Sequence, residues 1–70
     1  MEIKKKLEKA IISKEFIKLV FVYPGFDKFI IKRGYVIKCH PNSFDFNEIF
    51  DGNVSYSYEF IKEIKHGADK

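Results

Sequence analysis

The chain carries twelve aromatic residues, eight Phe and four Tyr, and all of them lie between Phe16 and Phe60. They alternate with charged or polar residues in short runs. Pro24-Gly25, Arg33-Gly34, Pro41-Asn42-Ser43 and Asp51-Gly52-Asn53 break those runs. Aromatic and β-branched residues fit a pleated, half-buried surface, and a period of two puts every second one on the same face. Runs of this kind, punctuated by turn formers, describe consecutive strands joined by tight connections. The middle of the chain is thereby restricted to a small β-barrel or curled antiparallel sheet.

Residues 2–13 follow another period. Ile3, Leu7, Ala10 and Ile11 fall on one stripe of a 3.6-residue repeat, with Lys5, Lys6 and Lys9 opposite. Glu2 and Lys6 make an i,i+4 pair in the favourable order. A helix this short is marginal alone, so its stripe must dock on apolar surface.

The strands are expected at residues 16–23, 28–40, 44–50 and 54–58. Residues 59–65 close the fold, either as a single turn and a short strand or as a short helix. Ile17, Leu19, Phe21 and Tyr23 share one face of the first strand. Pro24-Gly25 suits the centre of a type II turn, where Pro presets φ and Gly accepts a positive one. Gly34 interrupts an apolar alternating run with no polar turn around it. It is read as a bend or bulge inside one long strand, with backbone angles that other residues resist. Phe44 and Phe46 face together against Asp45 and Asn47. Ile17, Leu19, Phe21, Ile31, Ile37, Phe44, Phe46 and Ile64 are the expected core. Ile3, Leu7 and Ile11 dock the helix over one open end, and residues 67–70 read as a polar tail.

Leu7 to Ala10, Ile17 to Tyr23, Arg33-Gly34-Tyr35-Val36-Ile37, Phe44-Asp45-Phe46 and Tyr56 to Ile64 carry a resemblance over nearly the whole chain. The layout resembles the small β-barrels of the SH3-like and Sm-like groups. Within them it is similar to YolD-like and WYL-type domains and to the bacterial Sm-like RNA chaperones. The resemblance implies a mainly β fold, a small five-stranded antiparallel SH3-like or Sm-like barrel with an N-terminal α-helix. It implies RNA, single-stranded nucleic acid or a regulatory ligand as partner. The chain departs from those families at two points. Where the chaperones have a Tyr-Lys-His segment, it reads Tyr56-Ser57-Tyr58, and it has no Trp for a Trp-Tyr-Leu run.

Seventy residues make one domain, residues 1–70. Chains of this size have marginal cores and are often reinforced by disulfides, metals or self-association. One Cys excludes an internal disulfide. Cys39, His40 and His66 lack the paired-cluster spacing of a structural zinc site. Homo-oligomerisation is therefore expected, beside an unusually aromatic core. Lys4, Lys5 and Lys6 precede no apolar run of signal-peptide length, and the longest uncharged stretch, residues 19–26, is too short to span a bilayer. With a single reduced thiol, these point to a cytoplasmic protein without membrane attachment. Abundant Ile, Lys, Phe and Asn with one Arg match an AT-rich bacterial or phage genome.

Catalysis is not expected. There is no Ser, His and Asp set at motif spacing, no Gly-rich phosphate loop, no Cys-X-X-Cys and no cofactor motif. Cys39 and His40 are adjacent on a strand, so they point to opposite faces, Cys39 inward and His40 to the surface or rim. Charge is polarised instead. Residues 1–38 hold ten Lys or Arg against four acids, and residues 39–70 hold three Lys against six acids. The expected function is a non-enzymatic binding module, a regulator that takes RNA or single-stranded nucleic acid. Lys18, Lys32, Arg33 and Lys38 would neutralise phosphate and Tyr35 would stack a base, with Tyr56 and Tyr58 as further exposed aromatics. The alternative is a protein-interaction or accessory subunit. There the nearly uncharged strand with Val54, Tyr56 and Tyr58 pairs at its edge with a partner or a second copy.

Overall fold

A computed structural model of the chain describes residues 2–67. A helix, α1 (Glu2–Ser13), is followed by β1 (Ile17–Phe21), β2 (Ile30–Cys39), β3 (Ser43–Glu48), β4 (Gly52–Ser57), a 3-10 turn at Tyr58–Phe60 and β5 (Ile61–His66). The strands form one open antiparallel sheet in the order β4-β3-β2-β1-β5. Residues 59–65 thus combine the end of a 3-10 turn with a closing strand. The polar tail begins later than residue 67. Gly67 is buried, and its N–H donates to the Phe16 carbonyl at 3.0 Å. Residues 68–70 lie outside the described residues.

The helix ends as its chemistry dictates. Lys14 takes a left-handed φ of 55°. Its N–H donates to the Ile11 carbonyl at 3.2 Å, and the Glu15 N–H donates to the Ala10 carbonyl at 3.1 Å. This is a Schellman termination with Lys where Gly is the usual choice. Leu7 and Ala10 are buried, and Ile3 and Ile11 pack beside them against the core. The helix lies on β2 and β5.

Pro24-Gly25 forms the expected turn. Gly25 has φ 86°, and the Phe26 N–H closes on the Tyr23 carbonyl at 3.1 Å. The β3–β4 reversal falls earlier than the Asp51-Gly52-Asn53 triplet. Glu48 pairs with Gly52, so residues 49–51 make the loop and Gly52 (φ 76°) follows it. Glu48 sets this boundary. It is buried, and its Oε1 accepts the N–H groups of Phe50 at 2.8 Å and Asp51 at 2.6 Å.

Gly34 differs from expectation in an instructive way. Its φ is not positive, and the bulge in β2 lies between Val36 and Lys38, leaving Ile37 as the extra residue. Gly34 is instead the point where β2 passes from one neighbour to the other, pairing with Ile17 of β1 and Glu48 of β3. A Cβ there would stand 2.0 Å from the Asn47 carbonyl oxygen. Glycine is required by the close approach of β3, not by backbone angles.

The core is one cluster of α1 and the sheet's inner face: Leu7, Ala10, Ile17, Leu19, Phe21, Val36, Phe44, Phe46, Tyr58 and Ile61. Ile64 packs at its margin. Ile31 and Ile37 do not belong to it and are about half exposed, 53% and 45%. Gly34 and Val36 face inward, so Ile31, Arg33 and Tyr35 face out. The bulge after Val36 then returns Cys39 to the core side.

Candidate nucleic-acid interface

α1 covers the inner face of the sheet, and among the described residues no element covers the outer one. Strand parity decides what that face displays. On β1 it is the part-buried Lys18 and Val20, which is buried on this side, on β2 Ile31, Arg33 and Tyr35, on β3 Asp45 and Asn47, and on β4 Asn53 and Ser55. Register sets them in rows. Lys18 is directly opposite Arg33 on one side and Lys65 on the other, giving a row of three cations across β5, β1 and β2. Val20 sits between Ile31 and Glu63 in the next row. Tyr35 is opposite Asn47, and Asn47 is opposite Asn53.

Directly opposed side chains in a sheet have Cβ atoms only about 4.5–5.5 Å apart, and like charges placed so are destabilising. The row Lys65–Lys18–Arg33 therefore concentrates three cationic side chains on one face. Lys65 has a partly exposed ion pair with Glu63 at 3.6 Å. Such an exposed pair adds little stability. Tyr35 stands beside the row, 46% exposed. Its ring meets Phe16 edge-on, centroids 5.3 Å apart. Lys38 is exposed opposite Asp45, past the bulge.

Of the residues expected to bind nucleic acid, Lys18, Arg33, Tyr35 and Lys38 share this face. Lys32 does not. It points to the inner side, where its Nζ lies 3.3 Å from Asp51 Oδ2. That hydrogen bond from the ammonium raises its pKa above the ordinary value, against a partial loss of solvent. Lys32 and Arg33 are adjacent on one strand, so they cannot serve one surface.

Tyr56 and Tyr58 are not exposed platforms. Tyr56 is half-buried and its ring packs on Phe21, Phe44 and Phe46, with centroids at 4.9, 5.9 and 6.2 Å. Burial raises its pKa. Tyr58 is buried and stacks on Phe44 at 5.5 Å, and its hydroxyl donates to the His40 carbonyl at 2.6 Å. Burial pushes its pKa up to about 12. The cause is parity: Val54 lies opposite Phe46 and Tyr56 opposite Phe44, so the even-numbered side chains face the core, and Tyr58 follows on the same side. Val54 is also half-buried on the inner side. What β4 offers a partner is its backbone, because it is an edge strand without a charged side chain.

Asp45 accepts the Ser55 hydroxyl at 2.7 Å, and His40 Nε2 faces its other oxygen at 3.1 Å. These contacts, Ser55 first, hold its carboxyl below the usual carboxylate range. The acid stands between the hydroxyl and the imidazole, so the three groups are not in the order of a Ser–His–Asp relay, in which the imidazole faces the hydroxyl. Cys39 is part-buried, and burial raises its thiol pKa, which disfavours the reactive thiolate.

Sequence reasoning missed Lys65, Asn47 and Asn53 as members of this face. Alternation with Phe44 and Phe46 already puts Asn47 outward. Only the register reveals its neighbours. Comparison with protein families, with curated proteins and with solved structures found no match.

Proposed function

We propose that this chain is a non-enzymatic binding module for single-stranded nucleic acid, a regulator whose sheet curls as a small SH3-like or Sm-like barrel. The observation that supports it is the cation row Lys65–Lys18–Arg33, flanked by the exposed ring of Tyr35 on an uncovered sheet face. Phosphate neutralises the row, and a base stacks on the ring. Lys38 extends the positive rim. A single free thiol suits a protein of the cytoplasm.

Titration of short single-stranded RNA and DNA at two salt concentrations tests this. Affinity should fall steeply with salt, because each phosphate contact releases a counterion. Arg33→Glu with Lys18→Glu should abolish binding at moderate salt, and Lys32→Gln should change it little. Binding that ignores salt, or that survives the double reversal, removes the reading.

A second reading rests on β4. Its residues 52–57 bear no charge, whereas the other edge, β5, carries Lys62, Glu63, Lys65 and His66. Charges guard an edge against pairing, and β4 lacks them. A second copy or another protein would add a strand there. Sedimentation of the wild type and of Ser57→Lys tests it. A monomer at high concentration, or an oligomer indifferent to the new charge, rejects the edge.

A further inference from the structure

We infer that the outer face reads bases, and that it prefers adenine and cytosine, whose amine stands where uracil has a carbonyl, over uracil. This rests on the nucleic-acid reading above and names what that face selects. The row Tyr35–Asn47–Asn53 crosses β2, β3 and β4, and all three side chains are exposed. Arg33 and Tyr35 are consecutive outward residues of β2, about 6.6 Å apart along the strand. One nucleotide can therefore set its phosphate on the cation row and its base on the tyrosine.

A base on Tyr35 must be unstacked from its neighbours, so the strand is single. The Phe16 ring fixes the tyrosine from one side, which lowers the ordering cost of binding. On the other side the base edge meets Asn47 and Asn53. Each amide carries donors and an acceptor, the set that pairs with the N6 and N7 positions of adenine. Beyond them lies an open depression of about 300 Å³ lined by Ile37, Asp45, Asn53, Val54 and Ser55. Asp45 is its one charged group. Ser55 and His40 occupy part of its acceptor capacity, and an ionised carboxylate has about four lone-pair sites. The remaining sites accept from cytosine N4, where uracil presents the lone pairs of O4 and keeps N3–H as its one donor on that edge. The same carboxylate repels phosphate, so the backbone stays on the cation row and only the base reaches this side.

The test is fluorescence titration of the whole chain with labelled short oligomers of A, C and U at two salt concentrations. Wild type should bind oligo-A and oligo-C at least about fivefold tighter than oligo-U. Asn47→Ala with Asn53→Ala should bring oligo-A down toward oligo-U while the salt slope stays the same. Asp45→Asn, of equal size, should by itself narrow the gap between oligo-C and oligo-U. It also covers the case in which the double variant fails to fold. Equal affinities in wild type, a preference for oligo-U, or a preference untouched by a folded variant overturns base reading and leaves nucleic-acid binding in place. No binding to any oligomer at low salt overturns both.

Discussion

The two faces of one sheet are built from the same alternating strands, yet they hold opposite kinds of residue. The inner face carries Ile17, Leu19, Phe21, Val36, Phe44 and Phe46, all buried, and α1 closes over it. The outer face carries Lys18, Arg33, Tyr35, Asn47 and Asn53, with Ile31 and Ile37 left half exposed. Most rings are consumed by the core. Tyr56 and Tyr58 stack on Phe44, and Phe21 stacks on Tyr23 at 5.9 Å. A small domain with no disulfide needs that many rings for stability. A binding surface is then left with one strand-borne ring, Tyr35, and must draw its affinity from charge and register.

The sharpest way to break the comparison is to delete a ring on the inner face. Phe46→Ala removes a fully buried side chain and should cost about 3–5 kcal/mol. A domain of this size has a total stability of roughly 4–10 kcal/mol, so the variant should be largely unfolded in urea titrations that leave the wild type native. Retention of the wild-type midpoint would mean that the inner face is not the core.

Gly34→Ala attacks the boundary between the faces. The added methyl would stand 2.0 Å from the Asn47 carbonyl oxygen, part of the β3 backbone, so a strand must move. The expected loss is on the order of 3 kcal/mol, read from the same titration. A neutral result would separate β2 from β3 at this point. It would also undo the Tyr35–Asn47 juxtaposition, because both rest on one register.

Much of this was legible in the sequence, and the failure is concentrated in β2. The helix limits, the Pro24-Gly25 turn and the inward faces of β1 and β3 follow from spacing alone, because on those elements one face is plainly more apolar. On β2 the apolar residues lie on both faces, Ile30 and Val36 against Ile31, Tyr35 and Ile37. The inner side also includes Lys32 and Gly34, so counting hydrophobic residues favours the wrong side. That count places Ile31 and Ile37 in the core, whereas they are half exposed. The Val36–Lys38 bulge then changes the parity, which no periodicity reveals. The site suffered in the same way. Lys32 and Arg33 look like a pair in sequence and part on a strand, whereas Lys18 and Lys65 are far apart in sequence and meet through register.

Tyr58 tests how the inner face is locked at its rim. Its pKa of about 12 stands above the ordinary 10. A raised folded-state value means that the unfolded chain ionises first as pH climbs. The stabilisation is thus complete below pH 10 and declines as pH rises through 12. Tyr58→Phe should lose about 1 kcal/mol at neutral pH, the hydroxyl's bond to His40. It should also show a shallower alkaline decline than wild type in thermal melts at pH 9 to 12. Parallel alkaline curves for the two proteins would show that Tyr58 ionises as freely folded as unfolded.

Lys14→Gly sharpens the comparison from the side of the cover. The left-handed φ of 55° costs an L-residue about 1 kcal/mol, and glycine avoids that cost while losing more entropy on folding. The net expectation is a gain of a few tenths of a kcal/mol, seen as a small rise in Tm. A loss would show that the lysine side chain holds α1 in place by contacts beyond its backbone.

The smallest effect is expected on the outer face, where Ile31 is half exposed beside Val20. Ile31→Thr keeps the β-branched shape that suits a strand and trades an ethyl group for a hydroxyl. It leaves every ring and the inner core untouched, so stability should change by about 0.5 kcal/mol or less. The same substitution makes the two faces more unlike, because it thins the apolar stripe next to the cation row. If bare apolar area on this face contributes to holding a base, oligonucleotide affinity should fall severalfold with the urea midpoint unmoved. If affinity is equally unmoved, charge and Tyr35 alone account for binding. A drop of several kcal/mol in stability would instead place Ile31 under cover, and the outer face would no longer be bare.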